Sequence, residues 1–129
     1  EAKRVYLVCT QELASVHIAM RKADRLQRLG LSKEIRVVLN RYVSSDPMTQ
    51  DRIADVVGLP VELTIPNSYA LATASAEKGA HVDPRTPLGK SYTKLAQILL
   101  NDRPEIARKG NRFIESIFQP FVRREERAV

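Results

Sequence analysis

Two asparagines follow short apolar runs in the sequence and could present polar groups to a ligand. Asn40 ends the run that starts at Ile35, and Asn67 follows the run Val61–Ile65 and Pro66. A carboxamide carries hydrogen-bond donors and an acceptor side by side, so either side chain could bind a polar molecule. Asparagine also suits the tight turn by which a chain leaves a strand. The residues alone leave both explanations open.

Three apolar runs, separated by longer amphipathic segments, predict the elements that position these asparagines. The runs are Val5–Cys9, Ile35–Leu39 and Val61–Ile65. Their nearly continuous apolar character is typical of parallel strands that are covered on both faces. Strands that alternate with helices predict right-handed crossovers and a parallel sheet, whose ligands bind beyond the carboxyl ends of the strands. The sequence therefore predicts an α/β domain with both asparagines at its ligand-binding edge.

Helices are predicted from apolar stripes at helical spacing and from residues that favour helix ends. The first stripe comprises Leu13, Val16, Met20, Ala23 and Leu26. Hydroxyl residues that can cap a helix precede three of the helices: Thr10, Ser68 and Thr86. Glycines that favour helix C-termini follow three of them: Gly30, Gly58 and Gly79. With a helix in the tail, we expect three strands and about five helices.

Composition narrows the class of protein. The chain has 129 residues, a formal net charge of +6 and one cysteine, Cys9, which we expect to be a small buried hydrophobe. A single cysteine cannot form an internal disulfide, so we expect the reducing cytoplasm as the compartment. No apolar run is long enough to cross a bilayer. Neither His17 nor His81 has partners at metal-ligand spacing, which predicts no metal site. Acidic residues are interspersed among the basic ones and nucleic-acid motifs are absent, so no specific nucleic-acid partner is expected.

From Val5 to about Leu100 the sequence resembles the carboxyl-terminal half of the MinD/ParA family of deviant P-loop ATPases. The resemblance lies in TQELASVHIAMRKADRLQRLG, RVVLNRY, GLPVELTIPNSY and EKGAHVDPRTPLGKSYTKLAQIL, which follow in the family's order and spacing. The L-N-R-Y and P-N-S-Y segments are similar to patterns of the CpaE/TadZ-like branch of Flp-type pilus assembly proteins. This implies that residues 1–100 are half of a P-loop NTPase fold of the SIMIBI class and that residues 101–129 form a helical tail.

The resemblance also implies roles for the strand exits. In the family, the asparagine of the V-x-N-R segment hydrogen-bonds the adenine edge, and the loop after the I-P segment supplies main-chain contacts to the base. Carried over, Asn40 binds the N6/N7 edge, and Pro66, Asn67 and Ser68 form the opposite wall. Arg41 either lies over the base or pairs with a carboxylate. Ser68 stands where the pilus branch usually has aspartate, which makes its contact a departure from the pattern.

ATP and Mg²⁺ are the cofactors that the resemblance implies for a complete ATPase. The chain contains neither a G-x-x-x-x-G-K-[ST] loop nor its deviant form, and the strand-end aspartate that helps to hold magnesium is also missing. We expect these parts in an amino-terminal half that would precede Glu1 and act as partner. Neither tight nucleotide binding nor ATP hydrolysis is then expected of this chain alone. The alternative is a nucleotide-insensitive scaffold of the same fold within pilus or secretion machinery.

The tail carries an apolar helical face that the resemblance covers poorly. The residues of this face are Phe113, Ile114, Ile117, Phe118 and Phe121. MinD-like proteins often end in an amphipathic helix that binds anionic membrane, which would place the protein at the inner membrane surface. Pro120 interrupts the pattern and glutamates dilute its charge, which favours packing on the parent core or a neighbouring protein. A sheet without its first half exposes a strand edge and an apolar face, so we also expect a homo-oligomer.

Overall fold

A computed structural model describes residues 4–101. These residues form β1 (Val5–Cys9), α1 (Leu13–Arg28), β2 (Ile35–Tyr42), α2 (Gln50–Val57), β3 (Val61–Pro66), α3 (Tyr69–Glu77) and α4 (Pro87–Asn101). The predicted α/β class is confirmed, with a three-stranded parallel sheet and flanking helices. Four helices lie in the described part of the chain. The fifth predicted helix and the tail face of Phe113, Ile114, Ile117, Phe118 and Phe121 fall outside it.

The strand order is β1-β2-β3, which makes β2 the central strand. Its apolar residues Ile35, Val37, Val38 and Leu39 are all at most 1% exposed. Ile35, Val37 and Leu39 lie on one face of the sheet and Val38 lies on the other, so both faces of β2 are covered. This explains why residues 35–39 are apolar except at Arg36.

One face of the sheet packs against α1 and α2. The core between them comprises Leu7, Cys9, Val16, Ala19, Ala23, Ile35, Val37, Leu39, Ile53 and Val57. The inward stripe of α1 therefore includes Ala19, whereas Leu13 is 70% exposed and its predicted place in the stripe is wrong. Two alanines on the inner face let the helix backbone approach the strands closely.

The outer side of β1, the side away from β2, presents apolar surface. Val8 pairs with Val38 across the sheet, yet Val8 is 62% exposed while Val38 is buried. Ile18 of α1 is 56% exposed. A groove of about 260 Å³ lies beside them, and Ser15 and Lys22 contribute to its lining. Because β1 is the edge strand of the described sheet, its outer hydrogen-bonding groups and this apolar surface lie on the same side.

The predicted helix ends are mostly confirmed. Gly30, Gly58 and Gly79 all adopt positive φ at or just after the ends of their helices. Thr86 caps α4, since its Oγ1 accepts a hydrogen bond from the amide of Gly89 at 3.1 Å. The predicted cap at Thr10 is wrong, because Glu12 holds the N-cap position of α1.

Candidate functional site

The exits of β2 and β3 lie side by side at the carboxyl edge of the sheet. Tyr42 pairs with Pro66 in the parallel ladder, and the amide of Asn67 donates a hydrogen bond to the carbonyl of Tyr42 at 2.9 Å. The structure thus brings the segment of Asn40 and Arg41 next to the segment that follows β3. This is the edge at which open α/β sheets bind their ligands.

A β-bulge shapes the end of β2. Leu39 pairs with Thr64 and Tyr42 pairs with Pro66, so β2 advances three residues while β3 advances two. Arg41 lies within the bulge at φ 55°, a left-handed conformation that arginine rarely adopts. Among the described residues it is the one non-glycine residue with positive φ. Strain of about 1–2 kcal/mol is typical of such a residue and is often found at functional sites.

The side chain of Asn40 supports this bulge. Its Oδ1 accepts a hydrogen bond from the amide of Arg41 at 3.0 Å, which fixes the turn as asparagine commonly does. At Asn40 this bond agrees with the turn explanation from the sequence. The side chain of Asn40 keeps further hydrogen-bonding capacity, because Oδ1 has a second lone pair and the amide nitrogen carries two donors. Asn40 is half-buried, so these groups can still reach a ligand at the edge.

The other predicted site residues differ in their exposure and in their contacts. Arg41 is exposed and forms no ion pair with another residue of the 4–101 range, so its predicted carboxylate partner is not found there. Pro66 and Ser68 are half-buried and Asn67 is exposed. The amide of Asn67 is already bonded to β2, so any main-chain contact from this loop to a ligand must use other groups. Ser68 is the N-cap residue of α3, and its side chain makes no capping hydrogen bond.

Sequence reasoning missed Gln11, which follows β1 and is 8% exposed. Its Nε2 donates to the carbonyls of Val43 (3.1 Å) and Met48 (2.9 Å), and its Oε1 accepts from the amide of Val43 at 2.6 Å. The three hydrogen bonds of this buried carboxamide connect the exit of β1 to the exit of β2, as backbone hydrogen bonds between strands would. The rule applied to Asn40 and Asn67, a polar amide directly after an apolar strand, would have identified Gln11 as well.

A catalytic centre commonly uses metal ligands or reactive side chains. Within residues 4–101, no group of three histidines, cysteines or carboxylates could hold a metal ion. Cys9 is buried as predicted, and burial raises the pKa of its thiol, which keeps it neutral and unreactive. His17 and His81 are exposed. No helix in this range is long and apolar enough to cross a bilayer.

We expect Arg41→Gly to stabilise the protein by up to about 1 kcal/mol, because glycine adopts positive φ without strain. Arg41→Val should instead destabilise it by about 1 kcal/mol or more, since a β-branched residue tolerates this conformation worst. Urea unfolding of both variants measures the difference. Arg41→Asn is the matched control, because asparagine also tolerates left-handed backbone. Equal stability of the glycine and valine variants would contradict a strained turn.

Comparison with known proteins supports the fold. No protein-family model matches the sequence, and no curated protein is similar to it at a significant level. The crystal structure of a ParA family ATPase from Chlorobium tepidum TLS is similar, with a TM-score of 0.64 and 25% sequence identity. The match covers 74% of this chain and 40% of that one. The chain thus has a ParA-type ATPase fold and spans less than half the length of that protein.

Proposed function

We propose that this chain is the adenine-side part of a ParA-like ATPase. The observation that carries the proposal is the hydrogen bond from the amide of Asn67 to the carbonyl of Tyr42, which joins the two strand exits. It holds the segment of Asn40 and Arg41 beside Pro66, so that a flat ring can contact both segments at once. The ATPase neighbour supports an adenine nucleotide as the ligand.

Asn40 is the residue that would distinguish adenine from other bases. Its amide nitrogen can donate to N7, and the free lone pair of Oδ1 can accept from the N6 amine. Arg41, exposed on the same bulge, can lie over the face of the ring, which is a favourable arrangement for a guanidinium. Contacts with the base alone give little affinity, so we expect a Kd for adenosine on the order of 1 mM.

Phosphates and Mg²⁺ must be bound by other segments. The chain has no glycine-rich loop whose amides and lysine could hold a triphosphate. We therefore propose that the 129-residue chain does not turn over ATP and that a complete ATPase combines it with a phosphate-binding half. The L-N-R-Y and P-N-S-Y segments favour a role in positioning or assembling pilus or secretion machinery.

We propose that the outer side of β1 is the surface that associates with another protein segment. Val8 and Ile18 are largely exposed there beside β1, the edge strand of the described sheet, an arrangement that favours association with another strand. When no other segment supplies a strand next to β1, we expect the protein to self-associate as a dimer or larger oligomer. Light scattering across a roughly hundredfold range of protein concentration measures this, because oligomer formation depends on concentration. A monomer at every concentration would contradict it.

Chemical shifts test the adenine site directly. Titration of ¹⁵N-labelled protein with adenosine should move the amide signals of Arg41, Tyr42 and Asn67, whereas inosine, which lacks the N6 amine, should move them less. Asn40→Ala should weaken adenosine binding by about 1–3 kcal/mol, the usual cost of leaving polar partners unpaired. Gln27→Ala is the matched control, since it removes a carboxamide near the end of α1, at the opposite edge of the sheet.

Two results would decide against the proposal. Wild-type protein without adenosine-dependent shifts at these amides would favour the nucleotide-insensitive scaffold. Equal responses to adenosine and inosine would show that Asn40 does not contact the N6 edge. ATP hydrolysis by the purified chain, above a control for contaminating enzymes, would overturn the proposed division of the ATPase between two halves.

A further inference from the structure

Gln11 links the exit of β1 to the exit of β2. It is the buried polar residue among residues 4–101, and its amide pairs with Val43 in both directions, as donor to the carbonyl and acceptor from the N–H. A second donor bond reaches the carbonyl of Met48. The side chain of Gln11 therefore bonds both ends of the loop from Val43 to Met48, which leads into α2.

The bonds of Gln11 continue across the sheet. Val43 directly follows Tyr42, and the carbonyl of Tyr42 accepts the amide of Asn67. Gln11, Val43, Tyr42 and Asn67 thus form a hydrogen-bonded path that joins the carboxyl ends of all three strands. A displacement of Val43 would be transmitted to both walls of the candidate site.

The strained bulge is held from both sides. Asn40 bonds the amide of Arg41 on one side, and Gln11 bonds Val43 two residues later. The loop beyond is satisfied internally, since the amide of Asp46 donates to the carbonyl of Val43 and the amide of Met48 donates to Oδ1 of Asp46. A left-handed arginine persists when its surroundings fix it, and these bonds are what fix it.

We propose that Gln11 is a positioning residue for the base site. It does not touch the ligand but holds Val43, so that the left-handed turn at Arg41 keeps Asn40 beside Pro66. This inference rests on the proposed adenine site. It assigns to a residue after β1 a share in the recognition of a base bound by β2 and β3, because preorganised contacts bind more tightly than contacts that must form on binding.

Gln11→Met tests the inference, because methionine has a similar length but forms none of the three bonds. We expect faster hydrogen exchange, by about tenfold or more, at the amides of Val43 and Asn67, and no change at Val37 in the middle of β2. The Kd for adenosine should rise by about tenfold, with a smaller ratio between inosine and adenosine. Ile53→Val is the control, since it removes one fully buried methyl group and lowers stability without touching the exits.

The outcomes separate this inference from the function on which it rests. Unchanged adenosine affinity in Gln11→Met would overturn the positioning role and leave the adenine site intact. An equal loss in Ile53→Val would also overturn it, because general destabilisation would then explain the effect. If wild-type protein does not bind adenosine, the proposed function fails, and exchange at Val43 and Asn67 alone decides whether Gln11 holds the turn.

Discussion

Gly89→Ala should destabilise the protein by roughly 3 kcal/mol or more, although the same change in most helices is stabilising by up to about 1 kcal/mol. A Cβ added at Gly89 would overlap the carbonyl oxygen of Asp83 and lie 2.7 Å from Cα of Pro84. Both neighbours are backbone, so no side chain can rotate away to make room. Either α4 or the loop before it must move.

The loop has little freedom to move. Oγ1 of Thr86 donates to the carbonyl of Asp83 at 2.7 Å and accepts from the amide of Gly89 at 3.1 Å. The side chain and amide of Arg85 both donate to the carboxylate of Asp83, and these bonds hold the pKa of that carboxyl below its ordinary value. The loop and the first turn of α4 therefore form one hydrogen-bonded unit into which a methyl group does not fit.

Urea unfolding of Gly89→Ala measures this effect. Lys90→Ala is the control, since it changes an exposed neighbour in the same turn and should alter stability by less than about 0.5 kcal/mol. A Gly89→Ala variant as stable as wild type would show that the loop does not approach α4 this closely. An equal loss in Lys90→Ala would show that the first turn of α4 is sensitive to substitution in general, and not to the steric contact at Gly89 alone.

The strands and helix ends were predictable because their signals are local. An apolar run of five residues flanked by polar ones predicted β1 with its observed bounds. Gly58 and Thr86 marked helix ends because left-handed backbone and capping bonds depend on residues within one turn. That the exits of β2 and β3 share one edge followed from the predicted parallel sheet, whereas the strand order that makes them neighbours was not predicted.

The remaining features depend on contacts between segments distant in sequence. Helical periodicity includes Leu13 in the stripe of α1 as readily as Ala19, and only the placement of the sheet decides which of them is buried. Gln11 gains its three bonds from a loop 32 and 37 residues further along the chain. Arg41 has no local signal for positive φ, since the bulge arises from the register between β2 and β3. Tertiary pairing therefore determined the details of the candidate site.

Gln11→Glu should cost roughly 3 kcal/mol of stability at neutral pH and much less near pH 4. The amide nitrogen of Gln11 donates to two carbonyl oxygens, at 3.1 Å from Val43 and 2.9 Å from Met48. An ionised carboxylate would direct negative charge at both of them in a buried place. A protonated carboxyl restores much of the pattern, because its hydroxyl can donate to one carbonyl and its other oxygen can accept from Val43.

The direction of the pH dependence follows from these contacts. Burial and the two carbonyls disfavour the charged form, so folding raises the pKa of the introduced carboxyl above its unfolded value of about 4.3. Below the unfolded pKa the carboxyl is neutral in both states and the substitution costs little. As pH rises toward the folded pKa, the unfolded state loses its proton first, and stability falls by up to about 1.4 kcal/mol per pH unit. Above the folded pKa the loss is constant.

Urea unfolding of Gln11→Glu and Gln11→Met between about pH 4 and pH 8, the range across which an elevated carboxyl pKa is expressed, isolates this effect. The methionine variant has no added titrating group, so its stability difference from wild type should not change with pH. Asp46, whose Oδ1 accepts a hydrogen bond from the amide of Met48, is present in all three proteins and cancels in the differences. A pH-independent loss in Gln11→Glu would mean that the introduced carboxylate reaches water, and that Gln11 does not form the buried link between the ends of β1 and β2 on which the candidate site depends.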